Sequence, residues 1–167
     1  MTLPLATEFV LPAAVMTRRD VARLLAEMEQ LDADITAAAV RAKAGVESTY
    51  QPALTDALRE FLVENKLAVT ESKLRSELIL RLRTLKDTVP VVHMTFAVVA
   101  DRSSLQQLVQ WLRSSVHPQS VISVGLQPGL VAGVHLRTPN HVHDLSLKAA
   151  LDGSHDILIK ELEAYRG

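Results

Sequence analysis

Three of the chain's six histidines, His135, His141 and His143, stand close together in the stretch GLQPGLVAGVHLRTPNHVHDLSLKAAL. His141 and His143 are separated by one residue, so in an extended strand both point to the same face. Neutral imidazoles at that spacing can supply two ligands to zinc or another transition metal. His135, across a hairpin, is the available third ligand, while Asp144 faces the other way. A polar strand face beside a turn explains the same residues without a metal. No HExxH helix or paired-cysteine signature accompanies the three histidines, so they stay candidates and no metal site is assigned. His93 lies in a run of valines and reads as a hydrogen-bonded core histidine rather than a base. Asp101, Ser103 and Ser104 read as a helix cap. The chain has no GxSxG and no GxxxxGK[ST], and Gly125, Gly129 and Gly133 are spaced for turns and close backbone approach rather than as GxGxxG before a helix. No nucleophile, base and orienting group can be brought together on paper, and nothing calls for a cofactor. The expectation is a non-catalytic protein.

Composition narrows the class further. A net charge of −1 without a basic cluster gives no attraction to nucleic acid. Hydrophobic residues make up 48% and aromatics only 4%, so the core must be aliphatic. The chain has no cysteine, which excludes disulfides and thiolate chemistry and fits a reducing compartment. The opening MTLPLATEFVLPAAVM is apolar, but it lacks a basic leader and is broken by Pro4, Glu8 and Pro12. No apolar run reaches the roughly 18–20 residues that span a bilayer. The expectation is a soluble intracellular protein.

The elements that would hold these residues fall into two parts. Residues 17–44 read as one long helix, with Thr17 as N-cap, Asp20 completing a capping box and Gly45 as the stop. Val21, Met28, Ile35 and Ala42 recur every seven residues, with Leu24, Leu31 and Ala38 three residues after the first three of them. That is an a/d stripe, which serves either a bundle core or an oligomer seam. A second helix is expected through 51–66, with Pro52 in its first turn and Leu54, Leu58, Phe61 and Leu62 on one face. A third is expected after Thr70 as cap, with Leu74, Leu78, Leu82 and Leu85 in a stripe. From residue 89 the period changes. Residues 89–100 read as a strand buried on both faces. A helix over 104–116 follows, then strands at 120–126, 130–138 and 141–145. Gln127-Pro128-Gly129 and Pro139-Asn140 make the turns between these strands, and helical sequence closes the chain. The fold class expected is α+β: an N-terminal helical bundle, residues 1–88, followed by a small mixed β-sheet domain with flanking helices, residues 89–167.

The stretch quoted above resembles the C-terminal signature of the F-type ATP synthase delta subunit family, the oligomycin-sensitivity-conferring proteins of mitochondria. Pro128, Leu130, Val131 and Gly133 match its first block, D-P-x-[LI]-[IV]-G-G-hydrophobic; Asp144, Ser146 and Leu151 match the second, around D-G-S. The preceding FAVVADRSSLQQLVQWLRSSV has the family's strand, polar turn and helix. Gln127, Ala132 and Leu145 stand where the family carries an acid and two glycines. The order of a long helix before such a domain is also similar to the stalk E subunit of V/A-type ATPases. Both resemblances imply a peripheral-stalk protein that is cytoplasmic and peripheral on the inner face of the plasma membrane, or on the equivalent organelle membrane. They imply a subunit that is monomeric when isolated. Its partners would be the alpha/beta catalytic head, held by the 1–88 bundle, and a b-type stalk subunit, held by 89–167. The docking candidates are then Leu54, Leu58, Phe61, Leu62, Leu74, Leu78 and Leu82, with Ile157 and Leu162 of the last helix. Pro128, Gly129, Gly133, Asp144 and Ser146 become fold determinants, with Gly129 and Gly133 in turn geometry and Asp144 and Ser146 capping the helix that follows them. A free-standing homodimeric coiled-coil adaptor, built on the stripe of the first helix, is the alternative.

Overall fold

The structure is a computed structural model, and it describes residues 9–45, 53–130, 132–138 and 142–146. Helices α1 (Arg18–Lys43), α2 (Asp56–Glu64) and α3 (Ser72–Thr88) precede strand β1 (Val91–Phe96), helix α4 (Arg102–Ser115) and strands β2 (Val121–Leu126), β3 (Gly133–Arg137) and β4 (Val142–Ser146). The class is α+β, as the sequence leads one to expect. Two compact units divide the chain: Met1–Pro90 with Gln106–Val121, and Val91–Leu105 with Ile122–Gly167. Their first junction lies beside the boundary expected near residue 88. The segment from Gln106 to Val121, however, belongs with the first unit rather than with the sheet.

In the first unit, α1 begins where Thr17 and Asp20 exchange hydrogen bonds, the Thr17 N–H donating to Asp20 Oδ2 at 2.9 Å and the Asp20 N–H to Thr17 Oγ1 at 3.2 Å. It ends at Gly45, whose φ of 77° is a conformation other residues adopt only with strain. α3 runs antiparallel to α1. Arg18 donates to the Asp87 carbonyl, Arg83 pairs with Glu29 at 2.6 Å and the buried Arg75 pairs with Asp32 at 2.6 Å. Val21, Leu24, Met28 and Leu31 of the α1 stripe are buried, whereas Ile35 and Ala38 are half-buried and Ala42 is exposed. The first half of the stripe, from Val21 to Leu31, is therefore packed within the chain's own bundle. α2 starts a turn later than expected, at a cap made by Thr55, and ends at Asn65 as expected; Pro52 lies outside the described residues. Thr70 does not cap α3. The N-cap position falls on Glu71 without a side-chain bond, and the Arg75 guanidinium instead holds the Val69 and Thr70 carbonyls, each at 3.0 Å.

In the second unit the strand order is β2-β1-β3-β4. β1 is not buried on both faces. Val92 and Met94 are buried while His93 between them is exposed, so one apolar face alternates with a polar one. His93 is thus a surface residue, and the core role expected of it does not hold. β3 runs antiparallel to both β1 and β4. Beyond β1, the Val121 N–H donates to Pro90 and the Gln127 N–H to Phe96, so partner numbers rise together and β2 runs parallel to β1. The segments expected as a closing helix, with Ile157 and Leu162, lie outside the described residues, as do His141 and Leu151.

Candidate docking site

Among the described residues, those expected to carry chemistry are not assembled into a reactive site. β3 and β4 pair so that His135 stands opposite Asp144 and Leu136 opposite His143. Directly opposed residues share a face. His135 is therefore on the face with Asp144 and Thr95, and His143 is on the other with Leu136 and Met94. The hairpin register separates His135, the expected third ligand, from His143; His141, expected to pair with His143, lies outside the described residues. Among the described residues no group of three or more His, Asp or Glu side chains could hold a metal ion. Asp144 lies inside β4, with Ser146 as its last residue, so Asp144 does not occupy a helix cap. Gly133 has a φ of 99°, the geometry that calls for glycine, whereas Gly129 sits in a short 3-10 turn at Pro128–Leu130 with an ordinary φ and open space around it. Of the two glycines, only Gly133 is conformationally required. Asp101 does cap α4: it accepts from the Ser104 N–H at 2.9 Å, the Ser104 hydroxyl at 2.6 Å and the Ser103 hydroxyl. The Ser103 hydroxyl, then the Ser104 hydroxyl and N–H, hold the carboxyl well below its usual range.

The expected docking leucines are largely interior. Leu58, Phe61, Leu62, Leu78 and Leu82 are all buried, and Leu54 and Leu74 are half-buried. The reason is the short bundle. Each helix is short of partners and spends its apolar face on the common core, where a fully buried Leu or Phe contributes roughly 1.5–3 kcal/mol. Among the described residues, the large apolar side chains this unit leaves exposed are instead Val10 ahead of α1, Val40, Val63 and Leu80 on its helices, and Trp111 and Val116 in and just after α4.

What pattern-reading of the sequence missed is how the N-terminal segment is held. Residues 9–16 cross the first unit as an irregular strap. Phe9 meets Phe61 edge-on with ring centroids 5.3 Å apart. The Asn65 carboxamide both accepts from the Val10 N–H at 2.8 Å and donates to the Val10 carbonyl at 2.9 Å. Arg113 of α4 donates to the carbonyls of Leu11 at 2.8 Å, Pro12 at 3.0 Å and Val15, and to Ser120 at 3.2 Å. Gln119 reaches the Phe9 carbonyl at 3.3 Å. A guanidinium suits this task because its five N–H groups diverge from one plane. Burial draws the Arg113 pKa below the usual arginine value, and the negative charge of Glu64 opposes that shift. The available signal was the alternation of Phe9 and Leu11 followed by Val15 and Met16 just before a capping box, where a residue preceding the cap commonly packs on the first turn. Beside the strap lies an open groove of about 470 Å³ lined by Phe9, Val10, Leu11, Ala13, Glu64, Gln110, Arg113, Ser114 and Pro118. Every Arg113 nitrogen is engaged with a carbonyl, so among the described residues this groove offers a partner an apolar wall and the Glu64 carboxylate. The arrangement offers a partner a surface to bind.

No model of a known protein family matches the chain, and no curated protein sequence matches it.

Proposed function

We propose that this chain is a peripheral-stalk (stator) subunit of a rotary ATP synthase, acting by binding rather than by catalysis. The observation that carries the reading is the order of elements and motif residues. Helices come first, then an apolar strand, a capped helix and a second strand, and then the Pro128 turn leading into the Gly133 hairpin. That is the order of the delta-type signature. The requirement for glycine at Gly133 gives one of the motif positions a physical reason in this chain. Among the described residues no helix is long and apolar enough to cross a membrane, which is compatible with attachment to the membrane through other subunits.

In this reading the helical unit faces the alpha/beta head and the sheet unit faces a b-type stalk helix, and together they hold the head still against rotor torque. Head contact then falls on exposed positions such as Val63 and Leu80 rather than on the buried leucines. Loss of the chain should uncouple the enzyme. Membranes from a source strain lacking it should retain ATP hydrolysis by the head and lose ATP-driven proton pumping. Unaltered pumping in such membranes would remove the reading.

A further inference from the structure

The sheet of the second unit has two unlike faces. Pairing sets Met94 beside Leu136 and His143, and Phe96 beside Val134 and Leu145, in two rows on one face. β2 joins the same rows. A side chain at Gly125 would meet Thr95, which leaves Val124 and Leu126 on the side of Met94 and Phe96. The opposite face carries His93, Thr95, His135, Arg137 and Asp144. On the apolar face, cover runs out toward one end of the strands. Val92, Met94 and Ile122 are buried, whereas Val124, Leu126 and Leu145 are 44%, 55% and 64% exposed. Val98 and Val99, exposed in the loop that follows β1, extend the apolar surface at that end. A contiguous apolar sheet face is rarely left open, because it is the face on which a second layer packs.

We propose that the chain's own residues 154–165 supply that layer, their apolar side laid across Val124, Leu126, Phe96 and Leu145. The argument is where the chain goes. It leaves β4 after Ser146, which stands opposite Gly133, one residue beyond the row of Phe96 and Val134. The exit is therefore at the end of the sheet where cover is missing. Residues 147–153 link Ser146 to Ser154, and a link of that length reaches at most about 25 Å, enough to turn back over any strand of the sheet. In SHDILIKELEAY, Ile157, Leu158, Leu162 and Tyr165 fall on one side at the helical period. A segment of that length extends about 18 Å at the helical rise. The outer members of the four-stranded sheet stand about 14 Å apart, so the segment is long enough to cross it. Asp156, Lys160 and Glu163 then face water. The inference does not rest on the stator reading. It gives Ile157 and Leu162 to the chain's own sheet instead of to a stalk partner.

Hydrogen exchange of the purified full chain, read by mass spectrometry on peptides spanning 154–165, tests it. The amides of 157–165 should exchange far more slowly than those of a free peptide of the same sequence, at every protein concentration. Leu126→Asp puts an unpaired charge under the layer and should speed their exchange at least about tenfold, while amides in the middle of α1 stay unchanged and report that the chain is folded. Leu145→Asp, on β4, should act in the same direction and serves where Leu126→Asp does not fold. Val142→Asp should leave these amides unchanged, because Val142 pairs with Arg137 on the opposite face. Full-speed exchange in the wild-type chain overturns the proposal and leaves the face to another protein. Protection that appears only as protein concentration rises gives the face to a second copy and overturns it as well. So does unchanged exchange in folded Leu126→Asp and Leu145→Asp, or equal acceleration by Val142→Asp.

Discussion

Replacing Arg113 with methionine tests how the strap is held, because methionine keeps an apolar stem of similar reach and removes only the guanidinium. Four carbonyls lose their donor: Leu11, Pro12, Val15 and Ser120. A hydrogen bond to a charged group contributes about 1.5–3 kcal/mol, but four bonds from one side chain are not additive. Arg113 is only partly buried, so water can reach some of the carbonyls once the strap loosens. The net loss should be about 2–4 kcal/mol, below the sum of the separate bonds. At 1.4 kcal/mol per decade that is about a 30- to 1,000-fold rise in the population with the strap released. Native-state hydrogen exchange reads this directly, since the Val15 N–H is bonded to the Pro12 carbonyl and the Val10 N–H to Asn65. Both amides should exchange faster by that factor in Arg113→Met, while amides in the middle of α1 change less. Arg113→Lys should recover only part of the loss, because an ammonium has three donors at a single point. Unchanged protection of Val10 and Val15 in Arg113→Met would refute the clamp.

Leu82→Ala should destabilise the first unit by about 2–5 kcal/mol in urea unfolding, as a core truncation does, whereas Leu80→Ser should shift stability by less than about 0.5 kcal/mol and weaken capture of partner subunits. Gly133→Ala should cost about 1–2 kcal/mol because alanine is strained at positive φ, and Gly129→Ala should be near neutral; equal thermal shifts for the two would contradict the assignment. The Asp101 carboxyl is lowered in the folded state from an ordinary value of 3.8, so its contribution to α4 is complete above that value and drains away as pH falls through the folded value. Asp101→Asn should therefore flatten the acid limb of the stability profile below about pH 4, and an acid limb identical to wild type would exclude Asp101 as its source.

The fold was legible where local rules and burial agree. The α1 capping box, its Gly45 stop, the Asp101 cap and the change of period near residue 90 are local signals, and each stands where the sequence puts it. Misplaced features depended on long-range pairing. Whether His135 and His143 share a face is set by the β3–β4 register, and a shift of one residue would reverse the answer. His93 looked interior because its neighbours are valines, yet a strand covered on one side leaves alternate residues outside. The docking leucines were readable as a stripe, but the stripe itself could not say whether the chain or a partner covers it. Arg113 was invisible to pattern-reading. Three of its four acceptors are backbone carbonyls about a hundred residues away in sequence, and carbonyls leave no trace in residue type.

The stator assignment is tested most directly by affinity capture of the tagged chain from detergent-solubilised membranes of its source, with mass spectrometry of the eluate. The account expects alpha, beta and b-type stalk subunits to co-elute in near-stoichiometric amounts, and Leu80→Ser to reduce the alpha and beta signal. Elution of the chain alone, or only as its own dimer, would contradict it.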